Sequence, residues 1–313
     1  MPIFGKESRR LFKARPFFHV RRLTTLGIDA TLNNKWFFWL LGRVRGKPFI
    51  HTVFLCYAAS EKYALHYCYR RNIKRYKWRP GLAGVFRQSG RWGIALAITA
   101  TERDLVKREN AHRLLALTQE VERIQHLLRS PNRAYSGILP SILRSRGIHK
   151  DISEAKIAAL CVSQAVSQMP GLANLQVDDP IIVLGAGGLV GSEVIKLLTC
   201  RRVYKVDARV TNDIRPNIPD EVRGQPGILL DVSRHGTIEY YISQFWKELV
   251  VLNEVYPPPS RRAKRKLNEM GVRIFHIAGV AGTAFPNFPA SYTGSIPCCA
   301  AHDRSLHVNV VPV

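Results

Sequence analysis

A short apolar run that enters a glycine turn and then a helix constrains this chain more than anything else in it. Residues 180–192 read PIIVLGAGGLVGS. Ile181, Ile182, Val183 and Leu184 show no polar alternation, as expected of a parallel strand covered on both faces. Gly185, Gly187, Gly188 and Gly191 follow, with Leu189 and Val190 between them at the start of the helix. Small residues there let backbone approach a pyrophosphate, and the helix N-terminus offers unpaired N–H groups and a positive dipole end. The spacing is G-x-x-G-x-x-G (185, 188, 191). Strict G-x-G-x-x-G fails, because Val190 holds its last position. Asp207 lies about the ~20 residues beyond the first glycine at which a ribose-binding acid is expected, and Arg209 follows two residues later. The order strand, turn, helix, acid predicts a dinucleotide-binding Rossmann unit; the alternative is an unrelated tight strand-to-helix turn.

The pattern after 180 alternates. Strands are expected at 181–184, 203–206, 227–230, 249–252 and 272–277, with helices at 189–199, 237–247 and 260–270 between them. Such alternation predicts a doubly wound parallel sheet with ligands at the C-terminal strand ends. Asp231, Asn253, Glu254, Tyr256 and the loop 278–283 fall at that edge. Before it, strands are expected at 49–57 and 92–99 around a Gly/Pro-rich segment 80–93, helices at 61–77, 102–128 and 153–168, and loop at 130–141. The expectation is an α/β protein of two domains: a basic, mixed α/β domain over 1–172 for substrate or partner, and a Rossmann domain over 173–313.

Composition bounds the rest. The chain has 313 residues, 46% of them hydrophobic, enough for two ordinary cores. Its six cysteines (56, 68, 161, 200, 298, 299) form no C-x-x-C and no disulfide framework, which points to a reducing compartment and away from structural zinc. The first thirty residues carry no secretory pattern, and no apolar run approaches the ~20 residues that span a bilayer, so a cytoplasmic protein is expected. The formal charge of +24 is the anomaly. Cations crowd the N-terminal half, from Lys6, Arg9, Arg10, Lys13 and Arg15 to Arg70, Arg71, Lys74, Arg75, Lys77 and Arg79, against Glu7, Asp29 and Glu61. Phe17, Phe18, Trp36, Trp39, Tyr67, Tyr69 and Trp78 are interleaved with them. Such a mixture fits an acidic protein carrier, peripheral contact with an anionic membrane or, ranked behind these, nucleic acid. A solvated charged face over an ordinary aromatic core is the plain alternative, and WFFWLL (36–41) is compatible with core.

The C-terminal half resembles the long-chain acyl-(acyl-carrier-protein) reductases that form fatty aldehydes. GAGGLVGS (185–192) matches that family's G-A-T-G-D-I-G-S turn in spacing, LVVLNEVYPPP (249–259) and MGVRIFHIAGVAG (270–282) are similar to its later strands, and PCCAA (297–301) falls where it places a cysteine. The resemblance covers residues 135–305. It implies reduction of an acyl thioester to an aldehyde by NADH or NADPH, with Cys298 as the nucleophile, Cys299 as its neighbour, His302 near enough in sequence to lower a thiol pKa, and an acidic acyl carrier protein as partner. The family prefers the phosphorylated cofactor, whereas Asp207 favours a free ribose 2′-hydroxyl and Arg209 the phosphate. Asp231 and Asn253 complete the expected cofactor edge. Three other readings stand beside this one. They are an NAD(P)-dependent dehydrogenase of the shikimate or amino-acid type, with Lys156, Asn253, Glu254 or Tyr256 as acid–base group; a non-catalytic nucleotide-binding module; and, last, an aminoacyl-tRNA reductase.

Overall fold

The computed structural model describes residues 16–313 except 45, 200, 212, 293 and 303–305. The expected cations from Lys6 to Arg15, and the side chains of Phe17 and Phe18, lie outside the described residues. In chain order the elements are α1 (Pro16–Leu32), α2 (Lys35–Leu41), β1 (Ile50–Tyr57), α3 (Glu61–Ala64), β2 (Gly81–Gln88), β3 (Arg91–Ile98), α4 (Glu102–Val106), α5 (Ala111–Leu128), β4 (Asn132–Tyr135), α6 (Leu139–Ser145), α7 (Ser153–Ala173), β5 (Ile181–Leu184), α8 (Leu189–Leu197), β6 (Val203–Val206), β7 (Gly227–Asp231), α9 (Ile238–Tyr241), β8 (Leu249–Asn253), α10 (Arg261–Glu269), β9 (Arg273–Ala281), β10 (Thr283–Phe285), β11 (Ser295–Ile296) and β12 (Val308–Pro312). The fold is α/β, built on two sheets.

The second sheet runs β6-β5-β7-β8-β9, all parallel, with β11 and β12 antiparallel on β9. Beyond β6 sits one parallel bridge, Val206 to Arg215, closed by Asp207 N–H to Arg215 O (3.0 Å) and Arg215 N–H to Lys205 O (3.0 Å). That bridge extends the sheet past β6 by a single pairing, and the switch in strand order falls between β5 and β7. β5, β7 and β8 are buried at every position, which is why they read as continuous apolar runs.

The first sheet has the order β10-β2-β3-β1-β4. β1 is parallel to β3 and β4, whereas β2 and β3 form a hairpin closed by Ser89 and Gly90, both at positive φ, as a two-residue turn of the right twist requires. Its edge strand β10 comes from the far end of the sequence and pairs with 85–87 of β2. Helix α7 holds the sheets together. Its small-residue face, including Ala158, Ala159, Val162, Ala165 and Met169, shares one core with Phe54 and Phe86 of the first sheet and Ile181, Val183, Leu230 and Leu252 of the second.

Several expected elements differ. The helix expected over 61–77 stops at Ala64, leaving turns and a short 3₁₀ segment at Arg70–Asn72. Arg70 with Lys74, and Arg71 with Arg75, would set like charges one helical turn apart. The segment expected as a breaker at 80–93 is strand β2 and its turn. Gly84 is there because a Cβ would lie 2.5 Å from the carbonyl oxygen of Phe285 on β10. The helix expected at 102–128 is broken between α4 and α5, where the buried Asn110 amide caps the freed carbonyl of Asp104 (2.8 Å). The loop expected at 130–141 contains β4 and the start of α6, α7 continues through Pro170 to Ala173, and the helix expected at 237–247 shrinks to α9 and a 3₁₀ turn. Within WFFWLL only Phe38 is buried.

Candidate active site between the two sheets

At the C-terminal edge of β5 the chain turns through Gly185 at φ +96°, where a Cβ would lie 2.7 Å from Ser233 Cα. A Cβ on Gly191 would overlap the carbonyl oxygen of Gly185, whereas one on Gly188 would stand 3.2 Å from that oxygen. Gly191 is therefore the glycine of close helix–strand packing, and 185/188/191 is the working spacing. The first-turn N–H groups of α8, at Leu189 and Val190, have no partner within the helix and face the turn. The Asp207 carboxylate ends β6 beside them, accepting from the N–H of Gly187 (3.0 Å) and of Arg209 (3.0 Å). Arg209 itself is exposed. Two peptide N–H bonds fix the carboxylate while leaving lone pairs for ribose hydroxyls. The residues present thus fit a dinucleotide: a turn only glycine can make, free helix N–H groups, and a fixed carboxylate.

One cavity of about 540 Å³ runs from this turn into the space between the sheets. Gly185, Gly187, Gly188, Leu189, Val190, Asp207 and Arg209 line it, together with Cys298, Cys299, Glu254 and a set of aromatic rings. Tyr256 lies 5.1 Å from Tyr292 and 5.8 Å from Tyr63, centroid to centroid, while Phe288 stands edge-on to Phe54 (6.3 Å) and Tyr292 (6.1 Å). Tilted and edge-on pairs are the favoured aromatic packings, so the wall is stiff as well as apolar. Tyr57 closes one side, its hydroxyl donating to Glu102 (3.0 Å) and accepting from the Ile138 N–H (3.2 Å).

Besides Glu102, which holds the Tyr57 hydroxyl, Glu254 and Glu154 line this chamber. Glu254, at the end of β8, keeps a partly accessible surface, yet burial and then the neighbouring Asp231 push it up to about 8. Glu154, in the first turn of α7, is 2% exposed, with neither oxygen hydrogen-bonded and His149 Nε2 3.9 Å from one of them, and burial raises it to about 7. Sequence reading missed Glu154, although it falls on the same helical stripe as Ala158, Cys161 and Ala165. An acid on an apolar stripe was the available signal.

The other expected site residues separate. Asp231 is 1% exposed and does not line the cavity; it accepts from the Ser233 hydroxyl (2.5 Å) and N–H (3.1 Å) and thereby shapes the loop facing Gly185, while burial raises it to about 6. Asn253 is turned away, its amide on Val255 O (2.8 Å) and beside His276 Nδ1 (2.8 Å). Both cysteines line the cavity, but a hydrogen bond with Cys161 and then burial hold the Cys298 thiol well above its ordinary range, and burial followed by Glu254 does the same for Cys299. His302 is no part of the cavity wall: its ring packs on His51 (4.7 Å) and its N–H donates to Gln88 (3.0 Å). The 3₁₀ turn Cys298–Ala300 ends before it, so His302 is not among the groups that shift either thiol.

No protein-family profile matches this chain, and no curated protein matches it. Among solved structures the chain is similar to an L-tryptophan dehydrogenase from Nostoc punctiforme, with TM-score 0.34 and 12% identity over 72% of this chain and 68% of that one. It is also similar to a D-lactate dehydrogenase from Treponema pallidum, with TM-score 0.28 and 11% identity over 70% and 76%. Among the described residues no helix is long and apolar enough to cross a membrane.

Proposed function

We propose that the protein is a nicotinamide-dependent oxidoreductase acting on a carbonyl compound, or the corresponding alcohol, with an apolar or aromatic body. The observation that carries this reading is the continuity of one cavity from the glycine turn and Asp207 to the aromatic chamber holding Glu254. When bound, the cofactor supplies or takes the hydride. The chain's own part is to hold the nucleotide on Gly185, Gly188 and Gly191, to keep water out with the tyrosine and phenylalanine wall, and to keep a proton on Glu254. A carboxyl with a pKa of about 8 is mostly protonated at neutral pH. It is suited to give its proton to the carbonyl oxygen as hydride reaches the carbon. Calorimetric titration with NADH and NADPH tests the reading; a folded protein that binds neither would overturn it. Because the Asp207 carboxylate favours a free 2′-hydroxyl and repels a 2′-phosphate, NADH should bind at least as well as NADPH. Asp207→Ala should move the ratio toward NADPH by about tenfold, one good charged contact at ~1.5 kcal/mol.

A second reading keeps the acyl-thioester reductase, because Cys298 and Cys299 both reach the cavity that meets the glycine turn. Here the cysteine sulfur takes the acyl group, the carrier thiol leaves, and hydride then releases aldehyde and free thiol. The raised thiols weigh against it, since the thiolate is the nucleophile. Incubation with a long-chain acyl thioester in the absence of nicotinamide separates the two. An adduct by intact mass that is lost in Cys298→Ser with Cys299→Ser would establish covalent chemistry; no adduct, with redox activity retained in the double variant, is the outcome the first reading expects.

A further inference from the structure

Helix α2 is a short, firmly seated helix whose outer face is apolar and aromatic. Asn34 caps it, its side chain accepting from the N–H of Phe37 (2.8 Å). Phe38 anchors it in the first core, and at its far end Gly42 lies so close to α5 that a Cβ would overlap the carbonyl of Leu127. Phe37 and Leu41 pack beside it, half-buried, and the other side chains of the helix are exposed. Trp36 is 79% exposed, Leu40 56%, Trp39 40% and the following Val44 38%. Single exposed apolar residues are commonplace, but two tryptophans and two aliphatics within nine positions make a patch.

The rim of this patch is cationic. From Ala30 to Ser60 the sequence contains no acid, while Lys35, Arg43 and Lys47 are exposed around the patch. The Arg43 guanidinium lies over the Trp39 ring at 4.2 Å, and Trp36 meets Trp39 edge-on at 6.0 Å. The acids of the supporting helix α5 are already engaged: Glu120 with Arg123 (2.6 Å) and Glu122 with Arg133 (3.0 Å).

From these residues we infer that α2 docks the protein on an anionic lipid bilayer, with Trp36, Trp39, Leu40 and Val44 in the headgroup and acyl boundary and Lys35, Arg43 and Lys47 on lipid phosphates. Indole rings with an apolar body and one N–H suit that boundary, and long cationic side chains reach from it to the phosphates. Each cation near an anionic leaflet adds to the attraction until salt screens it. A second copy of this chain is a poorer occupant, because it would set a like-charged rim against this one. Nucleic acid leaves Leu40 and Val44 without a partner. This inference stands apart from the reaction proposed above, since none of these residues lines the cavity.

Flotation of the full-length protein with vesicles tests it. Binding is expected to phosphatidylcholine vesicles containing phosphatidylglycerol and not to phosphatidylcholine alone, and it should weaken as salt rises. Brominated lipid in the anionic vesicles should quench tryptophan emission in the wild-type protein, and less so in Trp36→Phe with Trp39→Phe. Trp36→Ala with Leu40→Ala should weaken vesicle binding by about tenfold or more, since two side chains lose their apolar contact, without changing the circular dichroism spectrum or nucleotide binding. A wild type that does not float with anionic vesicles overturns the inference, as does equal flotation with neutral ones. So does a double variant with unchanged vesicle affinity but a lost dimer in sedimentation, which would make the patch a contact between copies.

Discussion

Gly191→Val is expected to unfold or severely destabilise the second sheet, while Gly188→Val is expected to leave a folded protein that no longer binds nicotinamide nucleotide. The difference lies in what each new Cβ meets. At Gly191 it overlaps the Gly185 carbonyl, a backbone atom that cannot rotate away, so either α8 or the end of β5 must shift. The cost should reach or exceed the upper end of the ~1–3 kcal/mol typical of overpacking. At Gly188 the nearest atom is 3.2 Å away, a contact that a few tenths of an ångström relieves, but the branches of valine then occupy the space over the turn. Thermal unfolding with nucleotide titration separates the pair. Equal melting temperatures for the two variants would contradict the assignment of Gly191 to helix–strand packing, and unchanged affinity in folded Gly188→Val would remove the nucleotide from this turn.

Glu254→Gln is expected to slow reduction by about 10²–10⁴-fold, the range for loss of a general acid, with little effect on nucleotide affinity. In the wild type the rate of reduction should fall as pH rises through about 8, because that is where the carboxyl loses its proton. The glutamine variant should lack this limb. Stability gives an independent reading. A carboxyl raised from its ordinary value of ~4.3 to about 8 on folding binds more protons in the native than in the unfolded state between those values, so it lowers stability as pH climbs through that interval. Glu254→Gln removes this dependence and should melt higher than wild type at pH 8. A variant with wild-type kcat and an unaltered pH profile would take the proton-donor role away from Glu254.

Residues 180–207 were legible because their signals are local. Four consecutive apolar residues bury themselves on both faces, glycine alone adopts the turn, and the acid follows at the distance set by one helix and one strand; the structure places each of them as the spacing implied. The doubly wound sheet followed from the same alternation, although the Val206–Arg215 bridge beyond β6 did not, since a single pairing leaves no periodicity. The chamber was not legible. Tyr57, Tyr63, Glu154, Glu254, Tyr292 and Cys299 come from six separate segments, and only the crossing of β10 into the first sheet, with α7 wedged between the two sheets, brings them to one wall. The same holds for the cysteines and His302, neighbours in sequence that the 3₁₀ turn at 298–300 sends to different surroundings. It holds for α2 as well, where WFFWLL is compatible with core, and the position of α5 decides that Phe38 goes inward and Trp36 outward. Sequence by itself determined what depends on backbone conformation and on apolar periodicity over a few residues. Which titratable groups meet, and how far burial shifts them, was decided by tertiary packing, because desolvation depends on neighbours that lie tens to hundreds of residues away along the chain.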